Sequence, residues 1–490
     1  RDYAIVGSFY IFAVWIGIGV FALYQYLHKY GNKKMIAIAV SVLSFLAVPT
    51  LMASENWDDH DRSNRYTTRL NAQAYLESCD PNAIMFTIGD NDTFPLWYMQ
   101  EVEGIRRDLK LVNTSLFATD WYIDQMKRAT YEAPPIPSQL THDKYKVGSL
   151  DAAYLVPHPQ FKDSAMSIEN FMKWIESDNP VTYYDTGDGD MIKTYPTNRI
   201  RVPVNKENAL KYGIVAQKDA DKIVDYIDIT IDEIIGKNRI LMLDILANFD
   251  WKRPIYFTGG ANADEEYIWL KDYMQLDGLS YKLVPIKTPT KTYDKDGKLV
   301  REVSLFDMGR IDSEKMYANI QKLNWNNINS GKIYIDEQTR RNAISLRNNL
   351  MRLSESFLKE KDTAKAKEVL DLSLYKMPIE DFGHYSISLG YPELYYKIGD
   401  KESARKTART LITIFQQKLK HYSTHKDLEL VFDNIDTQLY MYRNVLGQIE
   451  EFDKDKEYLQ NLQNEFVENI QLFKSLLPDE EPADLELIKD

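Results

Sequence analysis

The sequence predicts a mixed α/β domain placed after two membrane-spanning helices and followed by an all-α domain of helical repeats. Three observations predict this. Two uncharged apolar runs take up most of the first 54 residues. Short β-branched runs then alternate with segments of helical period up to about residue 310. Beyond residue 333 the strand signal vanishes and amphipathic helices recur in pairs. The expected divisions are 1–54 for the membrane helices, 55–310 for the α/β domain, 311–332 for a linker, 333–477 for the repeats and 478–490 for an acidic tail.

Tyr3 to Leu27 carries no charge, and neither does Met35 to Ser54. Each run reaches the roughly 20 residues that cross a bilayer core, whereas buried helices of soluble proteins are rarely uncharged for so long. The loop between them, His28-Lys-Tyr-Gly-Asn-Lys-Lys34, is cationic without an acid. The positive-inside rule makes it cytoplasmic. Arg1 and everything after Glu55 then fall on the outer side, the periplasm of a diderm bacterium. Arg rather than Met at position 1 predicts a start inside a longer or processed protein. A net charge of −13 over 490 residues argues against a nucleic-acid partner, and the length calls for two or three soluble units besides the membrane part. Cys79 is the single cysteine, so no internal disulfide or thiolate zinc site can form, and it reads as a small buried residue.

After the membrane, Glu55-Asn-Trp-Asp-Asp-His-Asp-Arg-Ser-Asn-Arg65 sets four acids, a histidine and two arginines beside Trp57. A helix is expected from Arg62, capped by Asp61, to Glu77, ending at Asp80-Pro-Asn82. Ala83 to Ile88 reads as a strand, broken by the turn Gly89-Asp-Asn-Asp-Thr93. The next helix is capped by Asp92 or Thr93, takes Pro95 in its first turn and stops near Gly104. A strand Leu109–Thr114 and a helix Asp120–Arg128 capped by Thr119 follow. This strand, helix, strand order predicts a parallel, right-handed, Rossmann-like βαβ unit. Asp90 and Asp92 would then lie near Asn113, Ser115 and Asp120 at the carboxyl edge, where open α/β sheets bind ligands. The turn is acidic and lacks a glycine-rich phosphate cradle.

Residues 131–198, rich in proline, read as loops around one helix, Ser167–Ser177. Regularity returns with strands Arg199–Val204 and Tyr226–Ile231 and a helix Asn238–Asn248. A strand Pro254–Phe257 ending at Gly259-Gly260, a helix Glu265–Met274, a strand Tyr281–Pro285 and a hairpin turning at Asp296-Gly297 complete the domain. Helices Ala343–Leu358, Thr363–Tyr375, Ser386–Ile398 and Lys401–Leu419 come next. Phe357–Leu370 is echoed by Tyr396–Leu411, a pattern that looks like a tetratricopeptide solenoid. A more degenerate pair spans Asp433–Leu477, as terminal repeats often are.

Two clusters can carry chemistry. Asp58, Asp59, His60 and Asp61 suit a divalent cation or a sugar at the membrane surface, but adjacent residues point apart, and a solvated acidic collar is the plainer account. Arg62 and Arg65 suit lipid phosphate. Asp90, Asn91 and Asp92 read either as a turn that satisfies backbone donors or as a polar contact to sugar or acceptor peptide beside Trp97 and Tyr98. Asp185–Asp190 starts like a calcium loop but lacks the closing glutamate. No Gly-x-Ser-x-Gly, His-Glu-x-x-His or Walker motif occurs.

Gly89-Asp-Asn-Asp-Thr-Phe-Pro-Leu-Trp-Tyr98, together with Asn56-Trp-Asp-Asp-His-Asp-Arg-Ser63, resembles the distal part of a multi-pass membrane family abundant in Bacteroidota. That family is related to the transmembrane protein O-mannosyltransferases of the GT-C class. The resemblance implies a lipid-phosphate sugar donor, mannose as the sugar, and envelope proteins as acceptors. It also implies that the donor-activating acid belongs to a first outer loop upstream of this sequence, so no catalytic residue, metal or cofactor is assigned within it. These parts would bind and position the acceptor, with membrane lipid as the other partner. Two rivals stand beside this reading: a non-catalytic membrane-anchored scaffold whose repeats bind proteins, and a hydrolase centred on Asp90 and Asp92.

Overall fold

In the computed structural model, residues 2–161, 164–187, 190–259, 267–295, 298–331 and 333–476 are described. The chain divides into two compact units, Arg1–Arg65 with Ser330–Tyr334, and Tyr66–Asn329 with Ile335–Asp490.

The first unit holds α1 (Asp2–Leu27), α2 (Lys33–Phe45) and α3 (Leu51–His60). The Asn32 side chain accepts from the Lys34 and Met35 amides and so caps α2. Pro49 has no N–H to give, and the chain passes it in a π-turn over Leu46–Thr50. Helical structure therefore continues to His60 rather than stopping at Ser54. Ile5–Tyr30 and Lys33–Trp57 are long and apolar enough to cross a membrane. Asp61 caps no helix; its Oδ1 accepts from the Ser63 amide at 2.7 Å.

The second unit opens with α4 (Thr67–Glu77), five residues later than expected. Then come β1 (Ile84–Thr87), α5 (Gly89–Glu101), β2 (Lys110–Asn113) and α6 (Asp120–Met126). β1 and β2 pair in parallel, Thr87 opposite Asn113. The insertion is more than loops. Besides α7 (Ile168–Glu176), capped by Ser167, Ala152–Leu155, Tyr183–Asp185, Met191–Tyr195 and Ile234–Gly236 form a four-stranded sheet. Met166–Ser167, Arg199–Pro203 and Tyr226–Thr230 form a three-stranded one.

After α8 (Lys237–Asn248) the main sheet resumes with β3 (Ile255–Thr258), β4 (Met274–Leu276), β5 (Ser280–Leu283) and β6 (Arg310–Ile311). Its order is β6-β4-β5-β3-β1-β2, mixed rather than purely parallel. β3 and β2 flank β1 in parallel, while β5 runs antiparallel to β3 and β4. The helix expected over Glu265–Met274 is not formed in its described part. Ile268–Tyr273 is a 3₁₀ segment and Met274 opens β4; Trp269, Leu270, Tyr273 and Met274 are all buried, so no helical period separates one face from another. Gly260, Glu265 and the turn Asp296-Gly297 lie outside the described residues, although Lys291–Tyr293 and Leu299–Glu302 pair antiparallel on either side of that turn.

The stretch expected as a linker carries α9 (Ser313–Gln321), with Met316 and Ile320 buried. α10 (Glu337–Lys359), α11 (Thr363–Lys376), α12 (Gly390–Ile398), α13 (Lys401–Tyr422), α14 (Phe432–Phe452) and α15 (Lys456–Ile470) follow. The C-terminal part is thus helical. Asp362, Asp400 and Asp455 cap α11, α13 and α15 through the amides of Lys365, Ser403 and Tyr458. One hydrophobic core runs from Leu70 in α4 through the sheet to Leu346, Leu350, Leu353 and Phe357 of α10. Arg352 of α10 donates to the carbonyls of Phe306, Asp307, Met308 and Gly309, and Asn349 to that of Gly278. Sheet and first helices therefore share one interior. A second core, around Leu411, Phe415, Tyr442 and Ile449, serves the distal helices.

Candidate functional site

The carboxyl ends of β3, β1 and β2 bring Thr258, Thr87 and Asn113 side by side, and all three are buried. Gly89 leaves β1 with φ +63°, a conformation glycine adopts freely. α5 begins at once, with Ile88 at its N-cap position. Neither Asp92 nor Thr93 caps it, contrary to the expectation. The Thr93 hydroxyl instead turns inward, 2.7 Å from Thr87 Oγ1, and donates to the Gly89 carbonyl at 2.6 Å. Asn113 Nδ2 donates to Thr93 Oγ1 at 2.9 Å, while its Oδ1 accepts from the amides of Ser115 and Leu116. This buried network fixes the turn.

Outside it stand the acids. Asp90 and Asn91 are exposed on the first turn of α5, where the helix dipole favours negative charge. Asp92 is half-buried and accepts from Thr258 Oγ1 at 3.1 Å. Burial raises its carboxyl above the usual range, against the lowering effect of the Thr258 hydroxyl and the Ile88 backbone. No ion pair to Asp92 occurs among the described residues. Asp120, expected nearby, is engaged elsewhere: its carboxylate accepts from the amides of Trp121 and Val147.

The other sequence-predicted residues separate. Trp97 is half-buried, stacks on Phe94 at 5.4 Å and lines a different cavity, along β2. Arg62 is exposed in the first unit, and the side chains of Asp58 and His60 lie outside the described residues. Asp185 Oδ1 accepts from the Gly187 amide; Asp188 and Gly189 lie outside. Among the described residues no three His, Cys, Asp or Glu side chains cluster to hold a metal ion.

Sequence reasoning missed a second polar cluster on the same sheet. Lys282 Nζ lies 2.5 Å from Asp80, and Lys315 Nζ lies 2.8 Å from Asp80 and 2.7 Å from Asp277. The Tyr256 hydroxyl donates to Asp277 at 2.8 Å. Burial works against ionising Asp80, yet the two lysines hold its carboxyl at about 2. Burial also lowers Lys282, whereas Asp277 and Asp80 overcome it to raise Lys315. The one local signal was Lys282, a cation inside an apolar strand.

Architecture and site together define a mixed α/β protein with two long apolar N-terminal helices, helical extensions and an acidic, phosphate-loop-free sheet edge. Residues 68–315, just over half of the chain, match the family described as TMEM260-associated domain 2, and the chain belongs to that family, which is related to protein O-mannosyltransferases. No curated protein and no solved structure matches the chain.

Proposed function

We propose that the chain is the distal portion of a membrane protein O-glycosyltransferase of the GT-C class, of the kind abundant in Bacteroidota. Such an enzyme passes a sugar, mannose by family relation, from a lipid-phosphate donor to Ser or Thr of envelope proteins. The membership of residues 68–315, directly behind two apolar helices, carries this reading. In it, α1 to α3 form two transmembrane spans, and the remainder faces the periplasm and receives the acceptor. The distal helices act as tetratricopeptide-like repeats. Asp90, Asn91 and Asp92 offer hydrogen-bond acceptors at the sheet edge to a polar acceptor segment, Asp58 and His60 meet a sugar or a divalent cation at the membrane surface, and Arg62 meets lipid phosphate.

Complementation of an envelope-glycosylation defect by the full-length gene tests it. Wild type should restore glycosylation, and Asp90→Asn with Asp92→Asn should reduce it while leaving the protein level unchanged. Unaltered glycosylation would confine the two residues to a turn, and failure of the wild-type gene would remove the transferase reading. A scaffold reading draws on the groove between α11 and α13, about 380 Å³, lined by Tyr375, Ile379, Tyr395 and Lys406. It expects protein partners to be captured with no change in glycosylation.

A further inference from the structure

A cavity of about 390 Å³ opens along β2, the outer strand of the main sheet, well away in role from the acidic turn. That is ample for one small ligand. Its walls carry the Trp97, Trp121 and Tyr131 rings together with Glu101, Arg107 and Lys110. Trp121 and Tyr131 are more than half exposed. Tyr131 holds φ +53° in a turn closed by paired bonds between Thr130 and Ala133. Bulky residues rarely adopt that backbone, so the turn spends conformational energy to present this ring.

The chemistry of the walls narrows the occupant. An added peptide strand is barred, because the edge of β2 is already sealed. The Asn113 amide bonds the Tyr122 hydroxyl at 2.9 Å, that hydroxyl donates to the Leu111 carbonyl, and Gln100 donates to the Leu109 carbonyl. An anion meets Glu101 in the same walls as the two cations, so charge of both signs lines the cavity. Arg107 lies 3.8 Å over the Tyr131 ring and 3.5 Å from Glu132. Lys110 donates to the Arg128 carbonyl at 2.7 Å and to Thr130 Oγ1 at 3.0 Å. Burial, with Arg253 nearby, also lowers Lys110 to about 8. A cation meets Arg107 and Lys110 as well as Glu101, so the mixed walls favour neither sign of ligand charge. What remains is a neutral ligand with an apolar face for the rings and hydroxyl groups for Glu101 and the two bonded cations.

We propose that the cavity along β2 binds a single hexose unit, its C–H face on the Trp97 and Trp121 indoles and its hydroxyls toward Glu101 and Arg107. This does not depend on the transferase reading, since a scaffold could hold a glycan in the same way. The test titrates the full chain, in a detergent with no sugar head group, with methyl glycosides of several hexoses, following tryptophan fluorescence and saturation-transfer NMR. A saturable response to at least one glycoside is expected, weakened about tenfold or more by Trp121→Ala and also reduced by Glu101→Gln. Both side chains lie at the surface or the cavity rim, and circular dichroism confirms the fold of each variant. No saturable response to any glycoside would overturn the proposal. So would a response that Trp121→Ala leaves intact, or one elicited only by a short aromatic peptide. Because the readout is binding, failure here leaves the glycosylation assay untouched, and failure there leaves this site standing.

Discussion

Two polar clusters lie on one sheet and handle charge in opposite ways. Around Asp80, two acids face two lysines, every member is bonded, and Asp277 is fully buried. Around Asp92, two acids and an asparagine stand at the strand ends, and Asp92 accepts from the Thr258 hydroxyl. The first arrangement neutralises itself and has nothing left to offer a ligand. The second keeps unsatisfied acceptor capacity at the surface. Charge in a protein interior must be compensated on the spot, so the uncompensated group marks where the molecule can still take up a partner.

The sharpest way to break this contrast is Lys315→Met. Removing the cation that bridges Asp80 and Asp277 leaves a buried carboxylate short of a partner and should cost about 3–5 kcal/mol, measured by denaturation of the full chain in detergent. Asp277→Asn in the same background should recover part of that loss.

Next comes Thr93→Ala, which strips Asn113, Thr87 and Gly89 of a shared partner. It should cost about 1–3 kcal/mol by the same measurement.

Acid offers a further separation. The Asp80 carboxyl is held below its unfolded value of roughly 4, so its contribution is complete above that pH and drains away as pH falls toward about 2. The thermal midpoint should drop over that window, and less so in Lys315→Met.

Asp92 has the reverse sign. Its folded carboxyl is raised, so the ionised form burdens the fold at neutral pH, and the burden lifts as pH falls through the carboxylate range. Asp92→Asn should therefore sit within about 0.5 kcal/mol of wild type, on the stabilising side, and the difference should fade in acid.

Sequence legibility followed the reach of each interaction. α1, α2, the β1–α5–β2 unit, α7 and α8 were readable because hydrophobic runs, their period and turn residues are local signals. β4 and β6 were not, being two or three residues long and, for β4, wholly buried without alternation. At the candidate site the turn itself was visible, but Thr258, which bonds Asp92, lies 166 positions away. The Asp80 cluster joins residues up to 235 apart, beyond any spacing rule. Composition changes near residue 333, while the hydrophobic core that begins at Leu70 continues into α10.

The grip of Arg352 on four successive carbonyls makes sheet and tail a single inheritance. After a protease nick near residue 325 the two pieces should stay together, held by Arg352 and the shared core. What composition presents as two modules should melt as one, and anything that pulls on α10 pulls on the sheet.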